Sequence, residues 1–210
     1  MKKINKQEPA FFSEFFQKYK PKIWDDIANI REEMRAYMLS GLSNDPNTEE
    51  HNEQNYQCAY TEKRIDSDNT SSHIDHFKKR NDFPQQVCEW SNLFAACNSE
   101  DYGAKYKDKT KNIDYALLIN PAVDEPSEYF EYSFTGAIVP KSQEKSAKDY
   151  KRAQYTIDTF NLNARSLVEE RKTAIDIYNS SAKESSNLSE LKDIIAQFDA
   201  MIAYLYATDA

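Results

Sequence analysis

Ser71-Ser72-His73-Ile74-Asp75-His76-Phe77 gathers two of the three histidines of the chain around a carboxylate. Residues 56–78 predict a β-hairpin: Cys58 to Glu62, a turn over Asp66-Ser67-Asp68-Asn69, then Thr70 to Phe77. In an extended strand Asp75 and His76 point to opposite faces, so both can serve one centre only at a strand end. An imidazole beside a metal-binding oxygen is the pairing that phosphodiester hydrolysis uses, with the imidazole taking a proton from water near neutral pH.

Two further clusters flank this segment: Cys58-Ala59-Tyr60-Thr61-Glu62 before it, and Trp90-Ser91-Asn92-Leu93-Phe94-Ala95-Ala96-Cys97-Asn98 after it. Lys78-Lys79-Arg80-Asn81-Asp82-Phe83-Pro84 reads as a basic loop. A short helix is expected from near Asn98. Cys88, beside Val87 and Trp90, reads as a small core residue.

Toward the N-terminus, Phe12, Phe15, Phe16 and Tyr19, then Ile23, Trp24, Ile27, Ile30, Met34, Tyr37 and Met38, recur at helical spacing broken near Pro21. Two helices packed by aromatic faces follow, stopped by Gly41 and Ser43-Asn44-Asp45-Pro46-Asn47. His51, within a charged patch, reads as a surface histidine. Residues 107–147 are loop-rich, with Tyr129, Tyr132, Phe134 and Ile138 predicting a second short hairpin. Beyond them, helices are marked by Tyr155, Ile157 and Phe160, and by Leu167, Ile175 and Ile177. A single amphipathic helix is expected through Leu188, Leu191, Ile194, Phe198, Ile202 and Leu205, framed by Asn187 and Glu190 or capped by Ser186. The fold class is α+β.

With 210 residues, 40% of them hydrophobic, the chain can bury about 70% of its unfolded surface, which is enough for one principal domain. No apolar run reaches the roughly 20 residues that span a bilayer, and the N-terminus is not a secretory leader, so a cytoplasmic protein without a membrane is expected. Three cysteines suit reduced thiols or metal ligation rather than a disulfide scaffold. Three glycines argue against a glycine-rich nucleotide cradle. The net charge of −8 repels a polyanion unless basic residues gather on one face or a partner supplies the field.

Taken together, Cys58-Ala59-Tyr60-Thr61-Glu62, His73-Ile74-Asp75-His76-Phe77, Trp90-Ser91-Asn92-Leu93 and Cys97-Asn98 resemble an HNH nuclease. More narrowly, the chain resembles the HNH (PtuB-like) component of Septu-type and retron-associated antiphage systems. Phe134-Thr135-Gly136-Ala137-Ile138, and Leu162-Asn163 followed by Leu167 and Arg171, add to the resemblance. It implies a predominantly helical domain around a small ββα-metal (HNH) module. The helical N-terminal region would cover 1–50, the module 51–110, and the loop, hairpin and C-terminal helices 111–210. It implies His76 as the base that activates water, Asn92 as the residue that fixes the loop, and Asp75 as a ligand to Mg²⁺ or Mn²⁺. The last metal ligand is Asn98 or, as the harder donor, Asp101. It also implies an ABC/SMC-like ATPase (PtuA-like) subunit as partner and nucleic acid as substrate.

The chain departs from the family's two Cys-x-x-Cys pairs. Thr61 stands where a cysteine would follow Cys58, and no cysteine stands three residues after Cys97. Two thiolates do not close a four-ligand zinc site. Either structural Zn²⁺ is lost, with Tyr60, Phe77, Phe94 and Tyr102 packing in its place, or Cys58 and Cys97 retain it with His73 and one more side chain. Lys78, Lys79, Arg80, Lys105 and Lys107 flank the cluster and are candidates for phosphate contacts. Arg165 and Arg171 are further surface candidates. Two functions are expected to compete: a metal-dependent endonuclease cutting DNA or structured RNA such as tRNA as the toxic effector of an antiphage complex, and a catalytically degenerate adaptor that binds the ATPase or nucleic acid without cutting.

Overall fold

The computed structural model describes residues 1–41, 51, 53–183 and 187–209. Element order is α+β, with helices carrying most of the regular structure and two separate two-stranded antiparallel sheets. Contacts divide the chain into two compact units. One joins Ile4–Ala59 to Ile65–Asn98; the other joins Met1–Lys3, Tyr60–Arg64 and Ser99–Ala210.

In the first unit, α1 (Ala10–Tyr19) starts after Pro9, whose fixed φ suits a helix entry, and ends where Lys20 turns left-handed. A 3-10 segment, Trp24–Ile30, runs straight into α2 (Arg31–Ser40). Gly41, at φ 74°, closes α2 with its N–H on the Tyr37 carbonyl. Met34, Tyr37, Met38 and Leu39 are fully buried, so this helix carries the core that supports the sheet. Phe11 of α1 meets Tyr37 of α2 edge-on at 6.0 Å, the packing of aromatic faces that the spacing predicts, and Phe12 meets Trp90 at 5.1 Å. The expected stop at Ser43–Asn47 lies outside the described residues.

The sheet of this unit pairs β1 (Ser72–His76) with β2 (Leu93–Cys97). This corrects the expected hairpin, because Cys58–Glu62 forms turns and the strand that pairs with β1 comes later. The turn region instead touches the far edge of β2, where the Ala59 N–H donates to the Ala95 carbonyl at 3.1 Å. Fully buried Gln54 completes that edge: its Oε1 accepts from the Ala95 N–H at 2.9 Å, and its Nε2 donates to the Ala95 and Gln57 carbonyls at 2.8 Å each. One carboxamide thereby replaces a third strand for one residue.

The second unit begins its helices at α3 (Ala104–Lys109), six residues beyond the expected start, with Gly103 at φ 75° as the entry. The predicted second hairpin is present as β3 (Phe130–Tyr132) and β4 (Ile138–Pro140). Helices α4 (Lys148–Thr159) and α5 (Arg165–Ser181) follow. Tyr60 stacks on Phe160 at 4.4 Å. The long C-terminal helix expected from the periodicity is two helices, α6 (Leu188–Ile195) and α7 (Asp199–Asp209). Ala196 and Phe198 between them adopt positive φ. Glu62 accounts for the break: its carbonyl takes the Phe198 N–H at 2.9 Å, and its carboxylate takes the Ala200 N–H at 2.6 Å, in the first turn of α7. Asn187 caps α6 through the Ser189 N–H, the expected capping residue.

Candidate active site

His76 is the last residue of β1 and is nearly buried. Its Nε2 lies 2.9 Å from the Val87 carbonyl. A carbonyl only accepts, so Nε2 carries a proton, and in the neutral form of the ring the lone pair is on Nδ1. The indole of Trp24 meets the ring edge-on at 4.5 Å, and the Arg31 guanidinium lies over that indole at 4.5 Å. The imidazole is therefore fixed by a hydrogen bond and an aromatic edge together.

Asn92 holds the loop that carries Val87. Its Oδ1 accepts from the Lys78 N–H at 2.8 Å, and its Nδ2 donates to the carbonyls of Lys78 and Gln86 at 3.1 Å each. Its own carbonyl takes the Phe77 N–H at 2.9 Å. Segment 77–92 is tied at its start and near its end by one buried side chain, and Val87 is the residue next to the tied Gln86.

Register fixes which side chains share a face. Asp75 pairs with Phe94 and His73 with Ala96, while His76 pairs with Leu93 and Ser72 with Cys97. Directly opposed residues share a face, so Asp75 and His73 lie on one side, and His76 and Cys97 on the other. Asp75 is 4% exposed. The same register separates His73 from Cys97, and among the described residues no group of three His, Cys, Asp or Glu side chains converges on a metal-sized space. The Cys58, His73 and Cys97 set does not fit a tetrahedral zinc centre. Of the residues expected to pack in its place, Phe77 meets Phe94 edge-on at 6.3 Å within this unit.

Asn98 is engaged differently from the expectation. Its Nδ2 donates to the carbonyls of Asn69, Thr70 and Ser72, which makes it the anchor of the turn that precedes β1. Asp101 is exposed and belongs to the second unit. Arg80 is exposed and Lys79 half-buried, while Lys78 lies over the Phe83 ring at 5.1 Å. Lys105 pairs with Glu100 at 3.2 Å. Lys107 corrects the sequence reading: it is fully buried, 5.9 Å from the Tyr60 ring and 3.5 Å from Asp108, and so is closed to a phosphate. Arg171 is likewise no surface residue. It lies buried in the second unit and donates to the carbonyls of Gly136 at 3.3 Å and Leu162 at 2.8 Å. His51 bonds the Asn5 carbonyl at 2.7 Å. The sequence marks Trp24 and Val87 only as packing positions and Gln54 not at all, because nothing in their local pattern announces the His76 and Ala95 contacts they make.

No family model matches the chain. A protein of Escherichia coli named "Retron Ec83 putative HNH endonuclease" is 26% identical over 239 aligned positions, which cover 95% of this chain and 88% of that protein. The Septu protein PtuB of Bacillus thuringiensis is 30% identical over 112 positions, covering 52% of this chain and 37% of its own length. The HNH-like order of Asp75-His76, Asn92 and Cys97-Asn98 thus sits in a chain that is similar, along nearly its whole length, to a protein named as a putative HNH endonuclease of a retron and, over about half of it, to a Septu protein.

Proposed function

We propose that this protein is a metal-dependent HNH endonuclease that hydrolyses phosphodiester bonds in DNA or in structured RNA such as tRNA. It acts as the toxic effector of an antiphage complex with an ABC/SMC-like ATPase, its HNH-like module lying over residues 51–110. The observation that carries this reading is the pinned imidazole at the end of β1, on a loop tied by Asn92.

In this mechanism Nδ1 of His76 takes the proton from the attacking water, while Nε2 keeps its own proton on the Val87 carbonyl. Asn92 is a positioning residue, since it holds the backbone that holds the ring. Asp75 would offer a hard oxygen donor to Mg²⁺ or Mn²⁺; because the register sets it on the face opposite His76, one ion would serve both only at the strand end, where His76 stands. Neutralisation of charge at the scissile phosphate is what a bound ion supplies there. The −8 charge of the chain suits activity that waits on a partner to bring in the polyanion.

The test is to incubate wild type and H76A, each with the cognate ATPase, ATP and Mg²⁺ or Mn²⁺, on DNA and total RNA in parallel, and to map the ends. Removing the base should lower the rate by about 10²- to 10⁴-fold. Equal cleavage by H76A would remove His76 from the chemistry. The adaptor reading draws on the engaged amide of Asn98 and the lack of a three-donor cluster among the described residues. Calorimetric titration of Mn²⁺ separates the two: binding lost in D75A opposes the adaptor, and no binding by wild type supports it.

A further inference from the structure

A polar cleft of about 420 Å³ opens beside the candidate base within the same unit, lined among others by Trp24, Arg31, Glu32, Arg35, His73 and Ile74. Ile74 shares the sheet face of His76 and stands two residues before it, a rise of about 7 Å along a strand. Trp24 belongs both to this wall and to the setting of His76, whose ring it meets at 4.5 Å. Whatever occupies the cleft is therefore a neighbour of the candidate general base.

The lining has a definite chemistry. Arg35 is held as a fixed wall by neutral partners, with its Nε on the Ser67 carbonyl and its Nη1 on Asn69 Oδ1, both at 2.6 Å. Arg35 is 7% exposed, and among the described residues Glu32 and Asp68 pull on its charge without bonding to it. Arg31 lies over the half-buried Trp24 indole and donates through Nη2 to the Trp24 carbonyl and to the exposed carboxylate of Asp25 at 3.2 Å. An exposed pair of that kind yields readily to a better anion. Two guanidinium groups line the cleft beside Glu32, while Asp25 touches Arg31 and Asp68 acts on Arg35, so an incoming phosphate has to displace carboxylates rather than meet bare charge. The volume is that of a small-ligand pocket. A half-buried indole with one guanidinium over it and a second guanidinium in the same wall is a combination that stacks an unpaired base and binds its phosphate; bases already paired in a duplex do not reach such a wall.

We propose that this cleft takes one unpaired nucleotide adjoining the scissile phosphate, its base against Trp24 and its phosphate against Arg31 and Arg35, so that the enzyme acts on single-stranded segments. The assignment of that phosphate as scissile rests on the nuclease reading; the binding site itself does not.

The chain has two tryptophans, Trp24 and the buried Trp90, so Trp24 is a usable reporter. Intrinsic fluorescence is titrated in EDTA with a single-stranded DNA dodecamer, an RNA of the same sequence and the corresponding DNA duplex. Single strands should quench the Trp24 emission and the duplex should not. A stacked base contributes about 1–3 kcal/mol, so W24L should bind single strands about 5- to 150-fold more weakly, with W24F in between and the Trp90 emission retained in both. R31Q should lower the dependence of binding on salt by about one released counterion. Preference for the RNA or the DNA strand keeps the proposal and names the source of the nucleotide. Unchanged single-strand affinity in W24L and W24F, or equal quenching by the duplex, overturns it. Cleavage assays with the ATPase and Mn²⁺ separate the two claims. Quenching without cleavage removes the nuclease and leaves the cleft, whereas cleavage with an unchanged KM in W24F removes the cleft and leaves the nuclease.

Discussion

Asn92 in the β1–β2 unit and Asn163 in the β3–β4 unit make the same pair of bonds in different settings. Each carboxamide accepts from the N–H and donates to the carbonyl of a single backbone residue, Lys78 for Asn92 and Ile138 for Asn163. The difference lies in what the held backbone supports. Behind Asn163 stands a closed core: Gly136 at φ 82°, where a Cβ would run into the Val168 carbonyl oxygen, and Arg171 bonded to the carbonyls of Gly136 and Leu162. Behind Asn92 stands a loop whose Val87 carbonyl orients an imidazole. A side-chain clamp marks a functional centre only when the clamped backbone aims a reactive group. In the β3–β4 unit the same device is structural.

The comparison breaks first at Arg171. Burial pulls its guanidinium below the usual value, against the favourable pull of Tyr132 and Glu62, and its Nε has no hydrogen-bond partner among the described residues. Truncating a buried cation and orphaning its acceptors costs about 3–5 kcal/mol, so R171M should lower the chemical-denaturation midpoint strongly. A midpoint within experimental error of wild type would show that this core does not depend on the cation. Next come the two clamps themselves. N92A, which removes a buried carboxamide, should lose about 1–3 kcal/mol of stability, and N163A, at an exposed side chain, less. Only N92A should also lower kcat in the folded fraction, about tenfold or more, because a small misplacement of a catalytic group is costly. Equal kcat in the two variants would erase the functional distinction between them.

A smaller effect is expected at Lys6, which sits in the β1–β2 unit on Glu53 at 2.6 Å and over Trp90 at 4.3 Å. Burial pushes its ammonium down to about 8, against the opposing pull of Glu53. Between that value and 10.5, its ordinary one, the unfolded chain binds more protons than the folded one, so stability should rise with pH across this window. The difference in unfolding free energy between wild type and K6M, followed from pH 8 to pH 10, should move in favour of wild type; a flat or opposite trend would mean that the pair holds its proton. The smallest change is expected at exposed Arg80. R80A should reduce the salt slope of nucleic-acid binding by about one counterion and leave strand preference unaltered.

What the sequence made legible was periodic or locally punctuated: the two N-terminal helices, the stop at Gly41, the second hairpin, and the cap at Asn187. What it hid depended on partners far along the chain. Five-residue strands carry little period, so nothing local distinguished residues 58–62 from residues 93–97 as the mate of β1. The apolar rhythm from Leu188 to Leu205 runs unbroken in sequence, yet Glu62 captures the Phe198 N–H and splits the helix. Lys107 reads as a surface cation because burial over an aromatic ring leaves no mark in composition. At the site, the resemblance supplied Asp75, His76 and Asn92 by order, while the Val87 carbonyl and the Trp24 edge belong to tertiary packing alone.

Residues Tyr60–Arg64 belong to one unit although the chain on both sides of them belongs to the other. During synthesis they leave the ribosome early, and residues 65–98 can finish the β1–β2 unit while these five wait. Tyr60 must wait for Phe160, and Glu62 for Phe198 and Ala200. A nascent chain therefore displays an unsheltered tyrosine until Phe160 is made, and Glu62 gains the Tyr132 hydroxyl before it gains the start of α7.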